Sequence, residues 1–173
     1  MKEHTRHHSA PGGGSPRIFF TVFLVFLGAM NALVFSNHLM WLYLFWEITT
    51  LCSFLLIGYD RTPEARSNAL RALWMNSVGG AAFVLACLIL VMLDKPLYLD
   101  SLVRGTANSS TMLLVIGLLV LAGMTKAAQM PFQSWLLGAM VAPTPVSALI
   151  HAATMVVAGI YMVARLYGVF FNG

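Results

Sequence analysis

After a polar stretch at residues 1–17, the chain settles into five apolar runs divided by short polar breaks. A helix crossing the hydrocarbon of a bilayer needs about 20 mostly apolar residues, and the runs are close to that length. The first covers residues 18–36, and after the break at Asn37-His38 the second covers 39–59. A polar segment at 60–67 follows, in which Pro63 suits a first helical turn or the start of a turn. The third run covers 68–93, and a longer polar stretch at 94–110 has room for a short surface helix at 97–103. The fourth begins near Thr111 and meets a proline at Gln129-Met130-Pro131; the fifth starts after Pro143-Thr144-Pro145 and reaches about Tyr167. The pattern predicts an all-α, polytopic transmembrane helix bundle of about five spans, with 1–17 as a tail and 18–173 as one membrane unit.

Pro131 changes the fourth span. An interior proline removes a backbone donor and clashes one turn back, which kinks or breaks a helix. At membrane depth a break is tolerated only where protein or a water-filled cavity satisfies the freed backbone. Residues 111–140 are therefore expected to form one discontinuous helix, broken near Pro131 with Gln129 beside the break. The alternative is an ordinary helix ending at Met130, followed by an interfacial segment.

Composition agrees with a membrane location. The chain is 59% hydrophobic and only 9% charged, with a mean hydropathy of +0.80, whereas soluble domains are about 25% charged. The net charge of +4 comes without a basic stripe interleaved with aromatics, so nucleic acid is not an expected partner. Lys2, Arg6, Arg17, Arg61, Arg66 and Arg71 fall on one side of the membrane under this count of spans, against Lys95 and Arg104 in the opposite long loop. By the positive-inside rule the N-terminal side is expected to be cytoplasmic, in a multi-pass protein of the inner (cytoplasmic) membrane. Cys52 and Cys87 lie in apolar runs, where a free thiol behaves as a small apolar group. No cysteine–histidine cluster predicts a metal or iron–sulfur site. His4, His7 and His8 are read as part of a solvated tail, and no cofactor is expected.

Away from loops and helix ends three ionisable side chains remain: Glu47, Lys126 and His151. A charge at the bilayer centre costs about 2.5–3.5 kcal/mol on insertion scales, so three on neighbouring spans call for a reason. Ion pairs in apolar surroundings add little net stability over apolar replacements, which weakens a purely structural role for Glu47 and Lys126. At about 6 Å and an effective dielectric of 20 the two attract by about 2.8 kcal/mol, enough to alter proton occupancy about a hundredfold. A change in their separation is thus a protonation switch. A lone buried histidine is often a satisfied core residue. The position of His151 in the segment after Lys126 and Pro131, with Thr154 one turn on, favours proton transfer.

The residues around these three carry a resemblance. Lys126-Ala127-Ala128-Gln129-Met130-Pro131, then Trp135 and Ala139-Met140, then the run from Ala142-Pro143-Thr144-Pro145 through His151-Ala152-Ala153-Thr154, resemble the antiporter-like subunits of respiratory complex I. That family includes Mrp-type cation/proton antiporters and membrane subunits of formate hydrogenlyase and energy-converting hydrogenases. Trp46-Glu47 and the run Cys52-Ser53-Phe54-Leu55-Leu56-Ile57-Gly58 resemble an earlier motif of the same family. The resemblance implies a five-helix repeat with one broken helix, in which Glu47 is the helix-5 glutamate, Lys126 the lysine of the broken helix and His151 the helix-8 relay residue. The family's first three helices and its second repeat would lie outside this chain. Two departures stand out. Trp135-Leu136-Leu137 replaces the common Trp-Leu-Pro, so the second half-helix is expected to begin or bend differently. The third span has Asn76-Ser77-Val78-Gly79-Gly80 without the Arg and Asp of the subunit L type, which, with Ala142-Pro143-Thr144-Pro145, pulls toward the hydrogenase-type subunits. Val157, where the Mrp type usually has a lysine, argues mildly against that type.

What the resemblance implies for function is proton translocation by a non-redox membrane subunit of an NADH-quinone oxidoreductase-like translocase, through a relay of Glu47, Lys126 and His151. Its partners would be protons, the bilayer and the other membrane subunits of a complex I-like or hydrogenase complex. The alternatives are the membrane arm of a formate hydrogenlyase or energy-converting hydrogenase, or a scaffold that transports nothing.

Overall fold

A computed structural model describes residues 15–104, 110–142, 144–150 and 155–171, and among them no extended strand forms. The elements are α1 (Pro16–Phe35), α2 (Leu39–Ile57), α3 (Pro63–Met92), α4 (Leu99–Arg104), α5 (Ser110–Lys126), α6 (Ser134–Gly138), running into a tighter turn at Ala139–Val141, α7 (Thr144–Ala148) and α8 (Met155–Phe171). Three of these, α1, α2 and α3, are long and apolar enough to cross a membrane, and α5 and α8 are shorter apolar helices. The all-α membrane bundle read from the sequence is the fold observed.

Helix starts follow local chemistry. Thr62 caps α3 by accepting a hydrogen bond from Ala65 N at 3.1 Å, and Pro63 occupies the first turn, where its missing N–H costs nothing. The helix therefore begins five residues before the apolar run does. At 30 residues, and 1.5 Å each, α3 is about 45 Å long, so its polar start projects beyond the roughly 30 Å hydrocarbon layer. The expected surface helix is present as α4. It is tied to the α1–α2 turn by backbone bonds Leu39 N to Leu97 O and Leu99 N to Asn37 O, both 2.8 Å.

The connections make neighbouring helices antiparallel and give the bundle two distinct ends. At one, Phe19 of α1 stacks edge-on against Tyr59 after α2, with ring centroids 4.9 Å apart. At the other, Arg165 of α8 donates to Asp100 Oδ1 and Asn37 Oδ1, each at 3.2 Å, and to Tyr161 Oη at 2.6 Å. Tyr161 Oη donates in turn to Val34 O at 2.7 Å. This clasp joins α1, α4 and α8 and contains the one ion pair among the described residues.

Between the ends, small residues let helices approach. A Cβ on Gly159 of α8 would overlap Gly123 O and crowd Ala127 N at 2.6 Å, so α8 lies backbone to backbone on the last turn of α5. Membrane helices pack this way because lipid gives no hydrophobic drive to associate, and close van der Waals contact must supply it. Gly159→Val is expected to cost at least the 1–3 kcal/mol typical of overpacking and to lower the thermal midpoint of the complete, assembled protein. An unchanged midpoint would show that α8 does not depend on this contact.

Candidate functional site

At 17 residues α5 is about 25 Å long, too short to cross the hydrocarbon, and it stops at Lys126. The stop is a six-residue cap: Gln129 N donates to Met124 O at 3.0 Å and Ala128 N to Thr125 O at 3.2 Å. Ala128 holds the left-handed conformation (φ 51°) that such a cap requires and that glycine usually supplies. The break thus begins at Ala127, ahead of Pro131, and the chain becomes helical again at Ser134. Gln129 contributes backbone here: its carbonyl accepts from Phe132 N at 2.6 Å, while its side chain is exposed. Pro131 is exposed and follows a cis peptide bond.

The two halves are tied together by Trp135, a wholly buried residue of α6. Its Nε1 donates to Thr125 O at 3.0 Å, satisfying a carbonyl that the broken helix leaves without a helical partner. Leu136-Leu137, where a proline was noted as missing, continue α6 from Ser134 without interruption.

Lys126 is completely buried. Its Nζ donates to Trp46 O at 2.9 Å and to Thr50 Oγ1 at 2.7 Å, and lies 5.0 Å from the centre of the Trp46 ring. These partners are one turn apart on α2, so a single helix face supplies a carbonyl, a hydroxyl and an aromatic face to the cation. Glu47 is the residue after Trp46 and leaves α2 in another direction. It feels the charge of Lys126, yet the two form no ion pair. Its Oε1 is buried with no protein partner and rests against Gly80 of α3, where a Cβ would overlap it. Gly79, one residue earlier, faces Thr125 in the same way.

The structure therefore brings together Glu47, Lys126 and the break. His151 and Thr154 lie outside the described residues. Sequence reading missed Trp46, Thr50 and Trp135 as site residues. Thr50 had a signal: it stands four residues after Trp46, next to Thr49, in an otherwise apolar span.

With this geometry in view, comparison with known proteins places the chain. Residues 36–173 match the family model described as NADH:quinone oxidoreductase/Mrp antiporter, transmembrane. The chain belongs to that family. It is 41% identical over 170 residues to a large subunit of a probable K(+)/H(+) antiporter of Rhizobium meliloti, covering 96% of this chain and 17% of that protein. To NADH-quinone oxidoreductase subunit L of Escherichia coli it is 41% identical over 158 residues, covering 88% of this chain and 26% of that one. Among solved structures, a chain of the Mrp complex from Dietzia sp. DQ12-45-1b superposes with a TM-score of 0.77 at 36% identity, over 88% of this chain and 18% of that one. The chain thus spans about a quarter or less of these relatives. Equal identity to the Rhizobium antiporter protein and to subunit L does not divide the two types, so Val157 does not separate the chain from the Mrp type.

The Lys126 contacts yield a test. Thr50→Val keeps the shape but removes one of two acceptors of a buried amine, a bond worth about 1.5–3 kcal/mol when charged. The thermal midpoint of the assembled protein is expected to fall in Thr50→Val and to hold in Thr50→Ser. Equal midpoints in both variants would show that this bond does not hold Lys126.

Proposed function

We propose that this segment carries a proton-transfer site of a cation- or proton-translocating membrane subunit, with Lys126 as the group that gains and loses the proton. The observation that carries this reading is the complete burial of Lys126 at the broken end of α5 among partners that are all neutral. An ammonium has three N–H donors and an amine has two. Two acceptors face Nζ, so loss of the proton leaves both hydrogen bonds in place and frees a lone pair. A lysine locked to a carboxylate would lose its ion pair at the same step. Glu47, close enough to feel that charge, adjusts the affinity for the proton without capturing it. His151 is proposed to pass the proton sideways, on the strength of its motif alone.

The complex I-like reading puts this unit among other membrane subunits in the inner membrane, with the N-terminal side cytoplasmic by its charge bias. A second reading, cation/proton antiport, is favoured by the likeness to the Rhizobium antiporter protein and to the Mrp complex. Proton uptake by proteoliposomes of the assembled complex separates these from a scaffold. Lys126→Met is expected to abolish uptake with assembly intact, and normal uptake would sink the assignment. Dependence of wild-type uptake on sodium or potassium would select antiport.

A further inference from the structure

Among the described residues three buried side-chain polar atoms have no protein partner: Trp46 Nε1, Glu47 Oε1 and Asn76 Oδ1. They belong to facing stretches of α2 and α3. Trp46 stacks on Phe83 of α3 with ring centroids 5.6 Å apart, and Glu47 meets Gly80. Asn76 stands one turn before Gly80 on the same buried face of α3 and is 1% exposed.

The antiparallel packing fixes the level of Asn76. Gly79 lies against Thr125, and α5 runs opposite to α3. Moving back from Gly79 toward Asn76 therefore corresponds to moving forward on α5, past Lys126 and into the break. Asn76 is at the depth where α5 loses its helix, within about one 5.4 Å turn of Lys126 along the axis. Its Nδ2 donates to Ala72 O at 2.9 Å, which orients the amide and leaves the oxygen as the free end.

An unmatched buried acceptor costs about 1–3 kcal/mol, and an apolar residue of the same shape would avoid that cost. We infer that Asn76 Oδ1 accepts a hydrogen bond from a water molecule held at the broken end of α5. Asn76 is then a positioning residue that hydrates Lys126 from the α3 side. The ligand class is water and its protonated form. The amide exchanges no net proton itself. It holds one O–H of the water and leaves the oxygen lone pair to receive a proton. When the protonated water meets neutral Nζ, an O–H bond breaks and an N–H bond forms, leaving water and ammonium. Glu47 Oε1 offers a second acceptor on the same α2–α3 interface, so hydration extends from the break to the carboxylate. A water in such a site needs 2–4 polar partners, and these groups supply them.

The inference rests on the proton-transfer reading of Lys126, and the test separates the two. Proton uptake and thermal midpoint are measured on the assembled complex carrying Asn76→Leu, Asn76→Thr or Lys126→Met. Asn76→Leu is expected to slow uptake about tenfold, the equivalent of one lost hydrogen bond of moderate strength, with the midpoint unchanged or raised. Asn76→Thr, which keeps an oxygen acceptor, is expected to recover part of the rate. Normal uptake in Asn76→Leu beside lost uptake in Lys126→Met would overturn the role of Asn76 and leave the relay standing. Normal uptake in both would overturn both. A lowered midpoint in Asn76→Leu with no recovery by threonine would make Asn76 a packing residue and overturn the inference.

Discussion

A lysine amine with no exposed surface, inside a bundle meant for hydrocarbon, must find its partners in the protein. The arrangement of α2, α3 and α5 answers that demand. The ammonium hangs from the last turn of α5, whose carbonyl end is the favourable end of a helix for a cation. It reaches across to Trp46 O and Thr50 Oγ1 of α2. For α5 to end there without orphaned carbonyls, the chain turns through Ala128, and Trp135 returns from α6 to bond Thr125 O. For α3 to lie close to both neighbours, it presents Gly79 to Thr125 and Gly80 to Glu47. The break, the glycine pair and the returning tryptophan are parts of one solution to the burial of one amine.

The polar contacts also divide the molecule along its axis. The Arg165 clasp fastens α1, α4 and α8 at one end, while the backbone interruption and the unmatched polar atoms of Glu47 and Asn76 occupy the interior. Gly123 and Gly159 hold α8 directly against the turn that carries Lys126. The protonation site is thus braced by main chain on the α8 side, and titratable and amide groups face it from α2 and α3.

Most of the bundle was legible in the sequence because apolar run length is a strong signal: α1 and α2 end within two residues of the runs that predicted them. The start of α3 was misplaced because hydropathy ignores capping, and Thr62-Pro63-Glu64 carries the start in polar letters. The break was expected near Pro131, but the helix ends at Lys126. Its cap has alanine where glycine normally marks the left-handed residue, so no local letter announced it. Glu47 and Lys126 were rightly singled out as buried neighbours. Their separate seating was not legible, since the partners of Nζ are 76 and 80 residues away in sequence and one of them is a main-chain oxygen. Asn76 drew notice only for the residues it replaces, because an amide in a span looks harmless until its packing leaves the oxygen unmatched.

That main-chain oxygen has a consequence of its own. Trp46 O already accepts from the hydroxyls of Thr49 and Thr50, at 2.7 and 3.1 Å, as well as from Lys126. No replacement of the tryptophan side chain removes it, so variation at position 46 alters the ring beside the amine while the nearest anchor persists. The seat of the lysine is in this sense written into the path of α2, and descent can exchange the letters around it far more freely than it can bend the helix that holds it.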